Sequence, residues 1–109
     1  MSWLVNFFQT QKGSNPVRDF ILKQDKKVYA KILRLIELLK NNGPFLKFPY
    51  TKKIHSNVWE LRISGKIAIR IFYCMLNNEF YLLHAFKKKS EKTPLKEIQV
   101  ALDRYKNII

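Results

Sequence analysis

Two arginines and a run of lysines in the second half of the chain are the residues best suited to phosphate chemistry. Arg62 and Arg70 lie in two neighbouring apolar segments, and the densest basic segment of the chain follows them. Its members are Lys87, Lys88, Lys89, Lys92 and Lys96. The planar fork of an arginine binds phosphate oxygens, and a lysine supplies a compact charge. Together they could hold an RNA backbone and stabilise charge on a reacting phosphate.

RNA can be cut without a metal, because its own 2′-hydroxyl attacks the neighbouring phosphate once it is deprotonated and the departing 5′ oxygen is protonated. A protein must then supply a base, an acid and cationic stabilisation, and a lysine crowded by other cations can act as the base. The residues that we assign to catalysis are Arg62, Arg70, Lys88, Lys89 and His84. Aromatic Phe72, Phe86 or Tyr81 could stack a base beside them.

The two histidines and the single cysteine carry less information. His84 turns toward the apolar side of its strand if the loop at Asn77-Asn78 has two residues, and toward Arg70 if the loop has three. His55 lies in a polar segment and is interpreted as incidental, and Cys74 as a small sheet residue. With one cysteine we expect no disulfide, no metal, no cofactor and a reducing cytoplasmic location. No apolar run approaches the roughly 20 residues that span a bilayer.

The charge balance points to an anionic partner. Lys and Arg number 21 against 8 Asp and Glu, which gives a net charge of +13. Such a field attracts polyanions and is larger than a solubilising surface needs. Hydrophobic residues make up 47% of the 109 residues, enough for a core, and no polar linker divides the chain. We therefore expect one domain over residues 1–109 that binds a nucleic acid or an acidic protein.

Periodicity predicts an α+β protein with the element order β-α-α-β-β-β-α. The predicted strands are 3–8, 58–63, 67–74 and 80–86, and the predicted helices are 16–23, one that follows the cap Asp25, and one that follows the cap Thr93. Asn42, Gly43 and Pro44 should end the middle helix. The short connections between the last three strands predict an antiparallel meander.

The register of the first hairpin follows from which side chains can be buried. A three-residue loop, 64–66, puts Trp59, Leu61, Ile63, Ile67, Ile69, Ile71 and Tyr73 on one face. It places Glu60 directly across from Arg70, with Arg62 on the same side. A two-residue loop would instead bury arginines among isoleucines. The pair of Glu60 and Arg70 alone is more often a structural ion pair than an active site.

The motifs of the second half resemble those of a known family. They are VWELR at 58–62, RIFY at 70–73, LLHAFKKK at 82–89, KTP at 92–94 and EI at 97–98. This pattern resembles the phage-derived, HigB-like branch of the RelE/ParE superfamily of toxins from type II toxin-antitoxin modules. The likeness runs closely from about residue 44 to 106, and the two preceding helices agree in order.

The resemblance implies a RelE-like fold and a toxin that is neutralised by a cognate antitoxin, often of the helix-turn-helix type. RelE-type members cleave mRNA on the ribosome and use basic residues in place of a metal. Arg62 and Arg70 match the family's sheet arginines, and Lys88, Lys89 and Lys92 match its basic tail. Lys52 matches a basic position before the WELR strand. With Lys87, Lys96 and Phe86 from the basic segment, Lys52 and Lys92 make up the predicted RNA-binding set. Which residue is base or acid stays open.

Two other functions compete with an RNA-cleaving toxin. One is a ParE-like toxin that inhibits DNA gyrase by binding it, and the other is a nucleic-acid-binding or antitoxin-binding module without activity. The clustered cations favour cleavage, since a gyrase binder has no need of a phosphate-cleaving face.

Overall fold

The computed structural model describes residues 2–109 and shows a sheet with helices on both faces. In chain order the elements are β1 (Leu4–Phe7), α1 (Pro16–Leu22), α2 (Lys26–Asn42), a 3-10 turn (Gly43–Phe45), β2 (Thr51–His55), β3 (Val58–Ile63), β4 (Ala68–Leu76), β5 (Glu79–Lys88) and α3 (Leu95–Ile108). The predicted α+β class is confirmed. The predicted order holds except for one additional strand, β2.

Local capping explains where the long helix begins and ends. The side chain of Asp25 accepts a hydrogen bond from the Val28 N–H at 3.0 Å, as expected for a helix cap. Gly43 ends α2 at a positive φ of 57°. The last helix begins one residue later than predicted, because Pro94 rather than Thr93 is the extended residue that precedes it.

The additional strand β2 was overlooked because its sequence is polar. It contains Lys52 and Lys53, and it forms an outer edge of the sheet beside β3. Lysines on an edge strand discourage pairing with a second sheet. The ladder with β3 also shifts register between Lys53 and His55, so no regular alternation marks this strand in the sequence.

The sheet order is β1-β5-β4-β3-β2, with β1 parallel to β5 and the remaining neighbours antiparallel. Helices α1 and α2 cover one face, where Ile32 and Leu39 pack with Leu61 and Ile71. Helix α3 covers part of the other face, where Ala101 packs in the cluster that contains Phe72. None of these helices, within residues 2–109, is long and apolar enough to cross a membrane.

The predicted pairing across the first hairpin is wrong by two residues, although the predicted faces are right. Arg62 pairs with Arg70, and Glu60 pairs with Phe72. The connection is longer than the predicted loop, since Ile63 pairs with Ile69, and Ile67 is left 41% exposed. A shift of two preserves the side of the sheet on which every side chain lies. Trp59 lies on the expected face but is 38% exposed near the edge.

A bulge decides the direction of His84. Asn77 and Asn78 both have positive φ, 51° and 65°, as a two-residue hairpin turn requires. Tyr73 pairs with Leu82, however, and Phe72 pairs with His84, so the register shifts by one residue within β5. This extra residue returns His84 to the face that carries Arg70. For a two-residue loop, His84 was predicted to turn toward the apolar face. The loop has two residues, but the bulge turns His84 toward the face of Arg70 instead.

Gly43 provides a test of how tightly β1 is joined to the end of α2. A Cβ atom at Gly43 would lie 2.5 Å from the Trp3 ring, at a φ of 57°. We expect Gly43→Ala to lower the free energy of unfolding by about 2–5 kcal/mol, through backbone strain and overpacking. At Gly13, also at positive φ, the nearest atom would be 3.6 Å away. Gly13→Ala should lower the free energy of unfolding only through backbone strain, by about 1–2 kcal/mol. Urea unfolding measures both variants, and an equal loss of stability in the two would contradict the close packing of Trp3 on Gly43.

Candidate functional site on the cationic sheet face

The two arginines lie side by side on the face that α3 partly covers. Arg62 on β3 pairs with Arg70 on β4, and Arg70 in turn pairs with Phe86 on β5. One step further along the sheet, Lys88 pairs with Ala68, so its side chain leaves on the same side as that of Arg70. We call Arg62, Arg70 and Lys88 the cationic face. The register brings both arginines and Lys88 to one side of the sheet.

A buried carboxylate lies between the two arginines. Glu60 is 2% exposed, and its Oε1 atom lies 3.7 Å from Nε of Arg62 and 3.6 Å from Nε of Arg70. Its second oxygen, Oε2, has no hydrogen-bond partner in the described chain. The shared carboxylate offsets the repulsion between two neighbouring guanidinium groups and keeps both close to it. Glu60 is therefore a positioning residue for both arginines.

Arg70 is the more enclosed of the two arginines. It is 6% exposed, and its Nη1 donates to the carbonyl of Ile69 at 3.0 Å. Burial lowers the pKa of Arg70, Glu60 opposes that shift, and Arg62 adds to it. An arginine nevertheless stays protonated at physiological pH. The Arg70 guanidinium is therefore held by contacts with Ile69 and Glu60 and has little contact with solvent.

Arg70 lines a shallow open depression together with the start of the basic tail. The other residues that line it are Ala68, Lys88, Lys89, Ser90 and Glu91. Lys88 is half-buried and Lys89 is exposed. Three cations thus surround a depression that contains one acidic residue. A phosphate group entering it would meet the fixed arginine at its base and mobile ammonium groups at its rim.

Arg62 faces the other end of the cationic face, where aromatic side chains are exposed. Its guanidinium carbon lies 5.1 Å from the centre of the Phe48 ring, and Phe48 is 69% exposed. The Arg62 N–H donates to the carbonyl of Tyr50 at 2.9 Å, which fixes the preceding segment against β3. A cation–π contact of this kind orients a guanidinium at low cost. Phe48 was not among the predicted site residues.

Phe86 is buried next to Arg70 on the cationic face. It is 6% exposed and packs edge-on against Phe72, with ring centres 5.2 Å apart. Its ring has no free side on which a base could stack. Two exposed aromatic residues contact Arg62: Phe48 through its ring and Tyr50 through its backbone carbonyl.

His84 is held between β5 and α3. Its Nε2 lies 2.9 Å from Oε1 of Glu97, and its Nδ1 lies 3.3 Å from Nη1 of Arg104, which also donates to the Leu83 carbonyl at 2.8 Å. With Arg104 as donor, the network assigns the proton to Nε2. Burial lowers the pKa of His84, and Glu97 opposes the shift. Both ring nitrogens are therefore occupied, and a proton transfer to RNA would have to break one contact.

The remaining predicted site residues are spread around the cationic face. Lys52 on β2 pairs with Glu60 and is exposed at the sheet edge. Lys87 pairs with Ile69, so it points to the opposite side of the sheet from Lys88, and we leave it out of the site. Lys92 and Lys96 are exposed in the segment before α3 and in its first turn.

Side chains that bind metals or act as thiol nucleophiles do not gather here. Within residues 2–109, no three His, Cys, Asp or Glu side chains lie close enough together to hold a metal ion. Burial raises the pKa of the Cys74 thiol to about 12, so it stays protonated. The chemistry that the site offers is binding and polarisation of phosphate by fixed cations.

The sequence alone did not indicate two of the interactions that shape this site. Arg104 was overlooked because the chain separates it from His84 by a loop and most of α3. Phe48 was overlooked because the aromatic-rich segment 45–50 has no regular period, and its contact with Arg62 is not visible in the sequence. Spatial proximity brings both to the site, and no local spacing marks either of them.

Residues 19–106 match a family model described as "Phage derived protein Gp49-like (DUF891)". The match covers well over half of the chain and includes β2 to β5, which carry the cationic face. A search of the curated proteins found no match.

Replacing the buried carboxylate tests its role between the arginines. We expect Glu60→Gln to lower the free energy of unfolding by about 1–3 kcal/mol, because it leaves two adjacent cations without their shared anion. Sulfate should then raise the melting temperature of the variant more than that of the parent, since an anion can take the place of the carboxylate. Thermal unfolding in sulfate and in chloride at equal ionic strength measures this. An equal response of both proteins would contradict the positioning role.

The His84 contacts predict a pH dependence. Because burial lowers the pKa of His84 below 6.5 in the folded chain, the unfolded chain binds its proton more readily. The free energy of unfolding should fall as the pH drops below 6.5, by at most about 1.4 kcal/mol per pH unit. His84→Gln, which keeps polar contacts, should flatten this part of the profile. Urea unfolding between about pH 5 and 8 measures it, and identical slopes would count against the assignment.

Proposed function

The chain belongs to the phage-derived Gp49-like family, and on that basis we propose that it is a toxin that cleaves mRNA on the ribosome without a metal. The family is associated with RelE-like toxins of toxin-antitoxin modules and therefore implies an antitoxin partner. We further propose that the chain belongs to the HigB-like branch, that its antitoxin is of the helix-turn-helix type, and that it acts in the cytoplasm. It is supported by the motifs at 58–62, 70–73 and 82–89.

One observation carries the proposal: Arg62 and Arg70 are adjacent on one sheet face and share the buried carboxylate of Glu60, and Arg70 lines a depression together with Lys88 and Lys89. Two fixed guanidinium groups can donate to the non-bridging oxygens of one phosphodiester. They need not reorganise as charge develops during the reaction, which is the condition for strong transition-state stabilisation. A protein that only bound another protein would gain nothing from arginines held in this way.

The proposed reaction needs no atoms beyond those of the RNA. The 2′ oxygen loses its proton and bonds to the adjacent phosphorus, while the bond from phosphorus to the 5′ oxygen breaks and that oxygen gains a proton. The products are a 2′,3′-cyclic phosphate and a 5′-hydroxyl end. Arg62 and Arg70 stabilise the added negative charge on phosphorus, and we assign the proton transfers to Lys88 and Lys89. His84 holds α3 against β5 through its contact with Glu97.

Two lysines adjacent in the chain give a direct test of which face reacts. Lys88→Gln should lower mRNA cleavage in a reconstituted translation reaction by about 10-fold to 1000-fold. Lys87→Gln makes the same chemical change on the opposite face and should leave cleavage near the parent level. Arg62→Gln should lose about 100-fold to 1000-fold in rate. Sequencing of the RNA ends in the presence and absence of EDTA measures all three.

The outcomes separate the competing functions. Equal cleavage by the Lys87 and Lys88 variants would rule out the cationic face as the reacting surface. Intact mRNA together with inhibited DNA supercoiling by purified gyrase would favour a gyrase-binding toxin. Cleavage that disappears with EDTA and returns with magnesium would overturn the metal-independent mechanism.

A further inference from the structure

A second basic depression adjoins the cationic face at the edge of the sheet. It lies between α2 and the end of β3, and we call it the α2–β3 groove. Its walls include Lys31, Arg34, Leu35, Tyr50, Arg62 and Ser64. It lies where β2 no longer covers β3, since β2 begins at Thr51 and Thr51 pairs with Leu61. Beyond that pair, the Arg62 N–H still donates to the Tyr50 carbonyl, and the residues from Ile63 onward form the edge of the sheet.

Of the two α2 cations in this groove, Lys31 contacts the hairpin between β3 and β4. Nζ of Lys31 donates to the carbonyl of Ser64 at 3.3 Å. It lies where a Cβ of Gly65 would be only 2.7 Å away, so the glycine allows this close approach. Arg34, almost one helical turn further on, is exposed, and no ion pair of the described chain includes Lys31 or Arg34. Their charges are available to a ligand.

Arg62 joins the groove to the cationic face. It pairs with Arg70 on the sheet, yet its side chain also lines the groove. Beside it, Tyr50 is 46% exposed and lines the groove, and Phe48 is 69% exposed. A continuous path of cations therefore runs from Lys88 through Arg70 and Arg62 to α2, with two exposed aromatic rings beside it.

We infer that the α2–β3 groove is a subsite for a nucleotide of single-stranded RNA that flanks the phosphate bound by Arg62 and Arg70. Lys31 and Arg34 bind the flanking phosphates, and the ring of Tyr50 stacks on the base, with Leu35 providing an apolar wall. This inference rests on the proposed RNA substrate and adds where its backbone runs. It also gives a role to the basic side of α2.

Charge alone would suit an acidic protein segment as well. The RNA is favoured because the groove shares Arg62 with the site that is proposed to bind phosphate, and because exposed aromatic rings lie along the same path. Single-stranded RNA presents both phosphates for the cations and bases for the rings. An acidic peptide would use the cations and leave the two rings without a partner.

Binding of an RNA oligomer that cannot be cleaved tests the subsite. The probe is a single strand of about 12 nucleotides whose 2′ oxygens are methylated, so the nucleophile is blocked. The variant Lys31→Gln with Arg34→Gln should lower the magnitude of the slope of log K against log salt by about 1.4, or roughly 0.7 for each lost phosphate contact. The matched control, Arg18→Gln with Lys23→Gln, removes the same charge from exposed positions on and after α1 and should change the slope little.

A second pair of variants tests stacking without altering charge. Tyr50→Leu should weaken binding of the same probe by about 5-fold or more, and Tyr50→Phe, which keeps the ring, should retain it. The contact of the Tyr50 carbonyl with Arg62 belongs to the backbone and survives both changes. Thermal unfolding of each variant shows that the fold is retained.

The results distinguish this inference from the proposed function. If the α2 pair and its control give the same salt slope, or Tyr50→Leu binds like the parent, the subsite is overturned, while the Lys88 and Lys87 comparison still decides on cleavage. If the α2 pair loses affinity for polyglutamate but keeps it for the RNA probe, the groove is a protein-binding surface and the inference is wrong. Loss confined to RNA with both α2 and Tyr50 variants supports it.

Discussion

Arg62 and Arg70 lie directly opposite each other on adjacent strands, a placement that costs free energy unless an anion lies between them. Glu60 supplies that anion from one pair further along the sheet, within 3.7 Å of one Nε and 3.6 Å of the other. The carboxylate is 2% exposed, so its attraction is weakly screened. The placement of two guanidinium groups side by side on this face depends on that shared carboxylate.

The two faces of the sheet differ in the side chains that they carry. The side under α1 and α2 is apolar and supplies most of the aliphatic core, while Glu60, Arg62 and Arg70 lie on the other face. A bulge in β5 then places His84 on that second face, where Glu97 and Arg104 of α3 hold it. Helix α3 is thus attached by polar contacts as well as apolar ones. It covers Phe72 and Phe86, and Arg62 stays partly exposed while Arg70 is buried.

The sequence allowed the faces to be predicted but not the partners across them. Side chains alternate with a period of two, so a shift of two residues left Arg62 and Arg70 on the predicted side while changing which of them Glu60 opposes. The longer hairpin connection is contacted by Lys31 of α2 at Ser64, an interaction that no local pattern indicates. The bulge that turns His84 is likewise not indicated by any local pattern. The edge strand at Lys52 carried charge where a core strand would carry apolar residues.

The way the charge is distributed links stability to function. A chain of net charge +13 repels itself, and the repulsion is greatest where cations are gathered on one face. Glu60 and Glu97, two of the few acidic residues, are used as buried or half-buried partners of basic groups. Around Lys31, Arg34, Lys88 and Lys89 no ion pair of the described residues offsets the charge. The free protein therefore carries an unfavourable term that a polyanion removes on binding. That relief adds to affinity and lies along the path from β5 to α2.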